Sequence, residues 1–139
     1  MIIVGLAGAS PAERVKMSQA VMEFAPKWLR WQVKNSVTNE LSRRERLQAM
    51  LAEAKAAGVE GVIVATITPL EASLIEELGG FIWHCQGQPS SSIRIDLDKH
   101  LLVNKGGDPV GRYLPAFEAV DLTRARHRAR HMLNQMRIG

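Results

Sequence analysis

The run Gly61-Val62-Ile63-Val64-Ala65 constrains the fold of this chain more than any other stretch. Its residues are apolar throughout, with no alternation between apolar and polar positions. A strand of this composition is buried on both faces, as strands are in parallel sheets that helices cover on either side. The strand is predicted to extend from Val59 to Ile67 and to lie centrally in such a sheet.

Three segments with the pattern of a helix start divide the rest of the chain. In Ser10-Pro11-Ala12-Glu13 the hydroxyl can cap, the proline suits the first helical position and the glutamate can complete a capping box. The segments Ser42–Glu45 and Thr68–Glu71 repeat this design. The first segment predicts a helix over residues 11 to about 24, and the second predicts a helix that ends at Gly58.

Short apolar runs predict the remaining strands, and the apolar spacing of the last segment predicts a final helix from near Pro115. The predicted strands are Met1–Val4, Trp28–Val33, Phe81–Cys85 and Leu101–Val103, with a half-exposed strand or extended segment over residues 93–97. The order β-α-β-α-β-α-β-β-α predicts an α/β domain with a three-layer parallel sheet and right-handed crossovers. Ligands of such folds bind beyond the carboxyl ends of the strands, so the loops at 5–11, 65–69, 85–92 and 104–109 should share one rim.

Helical spacing also predicts which side chains of the helices face the core. These are Val15, Ala20, Val21 and Phe24, then Leu47, Met50, Leu51 and Ala54, then Leu70, Leu74, Ile75 and Leu78, and in the last helix Leu122, Ala125, Ala129, Met132, Leu133 and Met136. Trp28 and Trp31 are expected to pack in the core and at its edge, with a stacking surface for a base as the alternative.

The size and composition of the chain exclude several classes of protein. A chain of 139 residues with 46% hydrophobic and 23% charged residues fits one globular domain over residues 1–139. No apolar run approaches about 18 residues, so no membrane partner is expected. No basic residues precede the first apolar run, so secretion is not expected either, and a cytoplasmic location is predicted. The single Cys85 excludes an intramolecular disulfide and a cysteine-based zinc cluster, and no metal site is predicted.

The net charge of +4 favours anionic partners, and the basic residues concentrate in the last helix, over residues 115 to about 137. A predicted basic face of this helix contains Arg124, Arg128 and His131, with Arg126 and Arg130 beside it. Such a face can contact the phosphates of nucleic acid or an acidic protein partner. A solvated helix face is the alternative.

The segment from Gly61 to Gly80 resembles the core of the phage-type deoxynucleoside monophosphate kinases and their dephospho-coenzyme A kinase relatives. The residues from Glu71 to Gly80 fall in step with that family's pattern, and Leu102–Gly106 is similar to its Ile-x-Asn-x-Gly motif. The resemblance implies a P-loop nucleoside monophosphate kinase fold in which Asn104 lies by the nucleotide base. It also suggests a phage or prophage origin, and so a place in the host cytoplasm.

The chain departs from this family in the residues that carry the chemistry. On the phosphate-loop pattern G-x-x-x-x-G-K-[ST], Gly5 matches the first glycine, but Ser10-Pro11-Ala12 replaces the second glycine, the lysine and the metal-binding hydroxyl. Ala65 and Ile67 stand where the family has an aspartate and an arginine. Because phosphoryl transfer depends on such groups, the chain is predicted to be a catalytically degenerate relative that binds a nucleotide or phosphate ligand.

The predicted ligand site combines the turn after the first strand with two other loops of the rim. Its candidate residues are Gly5, Gly8, Ser10, Arg14, Thr66, Thr68, Asn104 and Gly106. No catalytic residue is assigned, and ATP with Mg²⁺ would act as cofactors only in an active deoxynucleoside monophosphate kinase, which is the first alternative. The second alternative is a nucleic-acid or protein interaction module that uses the basic helix, and a homo-oligomer is left open.

Overall fold

The computed structural model describes the backbone of residues 1–138 and the side chains of residues 1–136. Within these residues the chain forms one sheet of six strands and four α-helices. In chain order the elements are β1 (Ile2–Ala7), α1 (Pro11–Phe24), β2 (Trp28–Trp31), α2 (Glu40–Ala56), β3 (Gly61–Ala65), α3 (Pro69–Glu77), β4 (Phe81–Cys85), β5 (Leu101–Asn104), β6 (Leu114–Pro115) and α4 (Ala116–Ile138).

The strands lie in the order β2-β3-β1-β4-β5-β6, and every neighbouring pair is parallel. The predicted α/β fold with a parallel sheet is therefore confirmed. From β1 the chain continues to β2, at one edge of the sheet. From β4 it continues to β5, towards the opposite edge. The strand order thus reverses between β1 and β4, and this switch point is where open parallel sheets bind their ligands.

Helices cover both faces of the sheet and make three layers. On one face α1 and α4 pack over a core that contains Val4 and Leu6 of β1. On the other face α2 and α3 pack over a core that contains Ile3 and Ala7. All six residues of β1 are buried, as expected for a strand with helices on both sides. Each helix that the structure describes is too short or too polar to cross a bilayer.

The first strand is longer than the predicted Met1–Val4, and Gly5 lies inside it. Leu6 and Ala7 continue the pairing, opposite Ala65 of β3 and His84 of β4 respectively. The predicted place of Gly5 in the turn is therefore wrong. A Cβ atom at Gly5 would lie 2.7 Å from a side-chain atom of Ile75, so close packing by α3 accounts for the glycine.

Three other elements have boundaries that differ from the predicted ones, namely α2, β2 and β3, which is shorter than the predicted Val59–Ile67. Helix α2 begins at Glu40, since the side chain of Asn39 already accepts a hydrogen bond from the Ser42 N–H (3.0 Å) and caps the helix three residues early. Residues 93–97, predicted as a half-exposed strand or an extended segment, form no strand, and β4 pairs with β5 instead. The strand predicted over Trp28–Val33 ends at Trp31.

The predicted inward faces of three helices are partly wrong. In α1 the buried residues are Met17 and Val21, whereas Val15 and Phe24 are exposed. Leu78, the C-cap of α3, is also exposed. In α4 the buried positions end at Thr123. Only the first part of α4 therefore covers the sheet, and the predicted inward residues beyond it are exposed, namely Ala125, Ala129, Met132, Leu133 and Met136.

The contact between Gly61 and Trp28 gives a testable prediction about the edge of the sheet. The two residues face each other in the β2–β3 pair, and a Cβ atom at Gly61 would lie 2.7 Å from the buried Trp28 indole. We expect Gly61→Ala to lower the free energy of unfolding by about 1–3 kcal/mol, because the ring must shift within a packed core. Urea denaturation measures this. Gly107→Ala is the control, since a Cβ atom there meets nothing within 4 Å, and equal midpoints for the two variants would contradict the prediction.

Candidate functional site at the switch point

A polar cavity of about 220 Å³ lies at the carboxyl ends of β1, β3 and β4, beside the switch point. We call it the rim cavity. Three segments line it: the turn after β1 with the start of α1, the residues after β3, and the loop after β4. Its lining residues are Gly8, Ala9, Arg14, Thr66, Ile67, Gln88, Pro89, Ser90, Ser91 and Ser92.

Hydrogen bonds to the loop after β4 and to the start of α1 hold the turn after β1. The Ala9 N–H donates to the carbonyl oxygen of Gln88 (2.7 Å), which attaches the turn to the loop after β4. The Ser10 hydroxyl accepts from the Glu13 N–H (3.2 Å) and caps α1, which confirms the predicted cap. A phosphate-binding loop presents unpaired N–H groups to its ligand. Because the N–H groups of Ala9 and Glu13 already have partners, the segment is a capped helix start and not an open anion cradle.

Arg14 folds back onto the same turn. Its Nη1 donates to the carbonyl oxygens of Gly8 (3.1 Å) and Ala9 (3.0 Å). The guanidinium is half-buried, and burial lowers its pKa. Among the residues that the structure describes, Nε and Nη2 have no hydrogen-bond partner and no carboxylate pairs with the charge. Arg14 therefore brings an uncompensated positive charge to the wall of the rim cavity.

A carboxylate already occupies the start of α1. Glu13 lies in the first turn and pairs with Lys105 (3.0 Å) and Lys16 (3.5 Å), and the hydrogen bond from Lys105 lowers the pKa of this carboxyl. A negative side chain there stabilises the helix but opposes a second anion at the same place. The side of the turn that carries Arg14 is consequently the more favourable place for an anion.

The structure places the two predicted threonines differently. Thr66 is buried, donates to the Val64 carbonyl oxygen (3.1 Å) and contributes to the lining of the rim cavity. Thr68 is the N-cap of α3, as predicted, and its hydroxyl donates to a carboxylate oxygen of Glu71 (2.9 Å). Thr66 therefore shares the candidate site with Gly8 and Arg14, whereas Thr68 has a structural role.

Asn104 and Gly106 lie outside the rim cavity. The Asn104 amide nitrogen donates to the carbonyl oxygens of Asp108 (3.3 Å) and Tyr113 (3.2 Å), and its oxygen accepts from the Gly106 N–H (2.9 Å). The side chain thus organises the segment before β6. It lines a separate cavity of about 140 Å³ together with Lys105. The predicted rim is therefore divided between two cavities.

The residues of the predicted basic face of α4 fall into two groups: two contact the rest of the domain and three are exposed to solvent. Arg124 donates to the Phe24 carbonyl oxygen (3.4 Å) and pairs with Glu60 (3.4 Å), and Arg130 donates to the Gly79 carbonyl oxygen (3.0 Å). These two side chains attach the helix to the domain. The other three predicted members, Arg126, Arg128 and His131, are exposed, and the side chain of Arg137 lies outside the described residues.

A chain of hydrogen-bonded side chains next to β4, with two buried histidines and a partly exposed glutamate, could not be found from the sequence. His84 lies 2.8 Å from His100 (Nε2 to Nδ1), and His100 lies 3.1 Å from Glu76 (Nε2 to Oε1). The Asp96 N–H donates to Nδ1 of His100, so this nitrogen is an acceptor, and His84 must donate from Nε2. His84 is thus a hydrogen-bonded strand-end histidine, with its Nδ1 buried and unpartnered among the described residues.

The side chains around the switch point do not favour nucleophilic catalysis. Cys85 is buried, and burial raises the pKa of its thiol to about 12, so the reactive thiolate is scarce at neutral pH. The lining of the rim cavity contains neither a lysine nor a carboxylate. What the cavity offers is one guanidinium, several hydroxyl groups and backbone groups, which suit the binding of an oxyanion.

The fold and this cavity define a parallel α/β protein with a candidate anion site at its switch point. Comparisons with models of known families, with curated proteins and with solved structures find nothing that matches this chain. The resemblance to the nucleoside monophosphate kinases therefore stays a prediction, supported by the residues that carry it.

Proposed function

We propose that this protein binds a phosphate-bearing small molecule of the nucleotide class in the rim cavity and does not transfer its phosphate. The observation that carries the proposal is Arg14, a half-buried guanidinium without a carboxylate partner among the described residues, at the wall of a polar cavity beside the switch point. In this proposal the fold is that of a nucleoside monophosphate kinase that has lost its catalytic groups.

The geometry around Arg14 favours an oxyanion as the ligand. Nη1 is held by two carbonyl oxygens of the turn, which fixes the plane of the guanidinium. Nη2 is left to donate to a ligand, and a charge-assisted hydrogen bond to phosphate is stronger than a neutral one. Hydroxyl groups of Ser90, Ser91 and Ser92 line the same cavity and can donate to further phosphate oxygens.

The lining of the rim cavity lacks most of the groups that phosphoryl transfer needs. Phosphoryl transfer needs a positioned lysine or arginine, a metal held by acidic or hydroxyl groups, and an oriented nucleophile. The described lining has Arg14 but neither a lysine nor a carboxylate, and Ser10-Pro11-Ala12 lacks the lysine and metal hydroxyl of a phosphate loop. Loss of one stabilising group commonly costs about 100- to 1,000-fold in rate, so loss of several leaves binding alone.

Calorimetric titration with ADP tests the proposal. We expect Arg14→Gln to weaken ADP binding by roughly ten- to a hundredfold, the contribution of a hydrogen bond to a charged group. Arg94→Gln is the matched control, because Arg94 is exposed, lies outside the rim cavity and carries the same charge. Absence of measurable heat with the wild-type protein at high micromolar ADP, or equal affinities of the two variants, would contradict the proposal.

A further inference from the structure

Helix α4 carries a second apolar face, which points away from the domain. The last buried residue of the helix is Thr123, which faces the core. Ala125 follows two positions later, about 200° around the helix axis, so a face that contains Ala125 lies opposite the core. Further apolar side chains recur from Ala125 at helical spacing. We call these residues the outer face: Ala125, Ala129, Met132, Leu133 and Met136.

The outer face is exposed to solvent. Met132, Leu133 and Met136 are 62%, 58% and 74% exposed respectively, and no described part of the domain covers them. Apolar side chains scattered singly over a surface are ordinary, whereas neighbouring ones on a single helix face are typical of an interaction surface. The outer face therefore indicates a place where another molecule binds.

The opposite side of the helix is attached to the domain. Arg130 donates to the Gly79 carbonyl oxygen (3.0 Å), and its guanidinium carbon lies 4.3 Å from the centre of the Phe81 ring. The contacts of Arg124 with Phe24 and Glu60 hold the helix one turn earlier. A partner would consequently meet a helix that is already formed and positioned, which lowers the entropic cost of binding.

Positive charge borders the outer face on both sides. Met132 and Leu133 form its two edges, because they lie about 100° apart around the helix axis. Arg128 lies about one turn before Met132, and Arg126 lies about two turns before Leu133. Both arginines are exposed, and neither forms an ion pair with a described carboxylate. Asp121 is the last acidic residue of the sequence, so the helix beyond it has no acidic side chain to balance them.

The composition of this segment favours a protein as the partner. Arginine and methionine are enriched in protein–protein interfaces, whereas lysine is depleted. Residues 122–139 contain five arginines, two methionines and no lysine.

Three other kinds of partner fit the segment less well. Nucleic acid would contact the arginines through its phosphates and leave the outer face in water. A second copy of the chain would place arginines against arginines. Helices that lie on membranes use tryptophan, phenylalanine and leucine on their apolar side, and of these the outer face has one leucine.

We infer that α4 docks its outer face in an apolar groove of a protein partner whose groove is edged by carboxylates. Met132, Leu133 and Met136 fill the groove, and Arg126 and Arg128 pair with the carboxylates on its two edges. Binding of an amphipathic helix in a groove is a common mode of recognition between proteins. The inference does not rest on the proposed function, because none of these residues lines the rim cavity.

Calcium-loaded calmodulin is a suitable probe, because it opens a methionine-rich apolar groove and binds basic amphipathic helices. Calorimetric titration of the wild-type protein should show binding at micromolar concentrations, and EDTA should abolish it by closing the groove. We expect Leu133→Gln to weaken this binding by about tenfold or more, because the side chain no longer enters the groove. Leu41→Gln is the matched control, since Leu41 is 62% exposed on α2 and should not contribute.

The arginines are tested in the same titration. Arg128→Gln should weaken binding by about two- to fivefold, and the difference should shrink as the salt concentration rises. Arg94→Gln is its control, because it removes the same charge elsewhere. All four replaced side chains are exposed, so the variants keep the core intact.

Two sets of results would overturn the inference. The first is absence of binding to calcium-loaded calmodulin, or equal affinities of Leu133→Gln and Leu41→Gln. The second is evidence for another partner: tighter binding of the wild-type protein to duplex DNA or to phosphatidylserine vesicles than to calmodulin, or a dimer in sedimentation experiments that Leu133→Gln abolishes.

Discussion

Replacement of Glu71 by alanine is expected to lower the free energy of unfolding by about 3–5 kcal/mol, because it leaves a buried guanidinium without its counter-ion. Glu71 on α3 is fully buried and accepts two hydrogen bonds from Arg43 on α2, at 3.0 and 3.4 Å. Arg43 also donates to the carbonyl oxygens of Lys34 (3.3 Å) and Val37 (2.9 Å). The pair therefore joins two helices and the segment before α2, and its loss affects all three.

The same two helices provide the control for this prediction. Arg44 and Glu77 form a short ion pair of 2.6 Å between α2 and α3, but the Glu77 side chain is 59% exposed. An exposed pair contributes about 1 kcal/mol or less, so Glu77→Ala should change stability little. The double variant Arg43→Met/Glu71→Leu should recover much of the loss, because no unpaired charge remains. Urea denaturation of the wild-type protein and the three variants measures these differences. Equal losses of unfolding free energy in Glu71→Ala and Glu77→Ala would show that the buried pair has no special role.

Acidification from pH 7.5 to pH 4 is expected to lower the free energy of unfolding by roughly 3 kcal/mol through His84 alone. Burial, and secondarily the charge of His100, lower the pKa of His84 from 6.5 to about 4. Between these two values the unfolded chain binds a proton that the folded protein excludes. The stabilisation is therefore fully present above pH 6.5 and is lost as the pH falls towards 4.

His84→Gln isolates this contribution, because its amide can still donate to His100 but does not titrate. Denaturation midpoints measured between pH 4 and pH 7.5 should fall more steeply for the wild-type protein than for His84→Gln. The exposed His131 provides a control, since His131→Gln should retain the wild-type slope. Identical slopes for the wild-type protein and His84→Gln would contradict the assignment.

Structural features that depend on residues close together in the sequence could be predicted. The caps at Ser10 and Thr68 depend on groups three residues apart, and both are present. The parallel sheet followed from the apolar run Gly61–Ala65, because such a strand must be covered on both faces. The location of the site at the carboxyl ends of the strands follows from the same topology.

Structural features that depend on contacts between residues far apart in the sequence could not be predicted. Helix α4 buries Ala116, Ala119, Val120 and Thr123 rather than the predicted apolar residues further along the helix. Thr123 accepts a hydrogen bond from the Trp83 indole (3.2 Å), 40 residues away in sequence. Arg43 and Glu71 are separated by 28 residues, and no pattern links them. The sequence placed Arg14 among the candidate ligand residues, but it gave no sign that Nη1 would donate to carbonyl oxygens of the preceding turn.

The residues that carry the kinase resemblance have structural roles in this chain. Glu71 forms the buried ion pair, Asn104 holds its own turn, and a Cβ atom at Gly80 would lie 2.6 Å from the Ile75 side chain. These residues therefore bear on the fold more than on the chemistry. This fits the proposal of a kinase-type fold that retains its architecture and a binding site without the groups for transfer.

Phosphorus-31 NMR of the protein mixed with ATP, Mg²⁺ and a deoxynucleoside monophosphate tests the central proposal most directly, because one spectrum reports both binding and turnover. We expect the phosphate resonances of the nucleotides to broaden or shift on addition of the wild-type protein, and to do so much less with Arg14→Gln. No resonances of ADP or of a deoxynucleoside diphosphate should appear with time. Unperturbed nucleotide resonances would contradict binding in the rim cavity, and growth of diphosphate resonances would show that the protein is an active kinase.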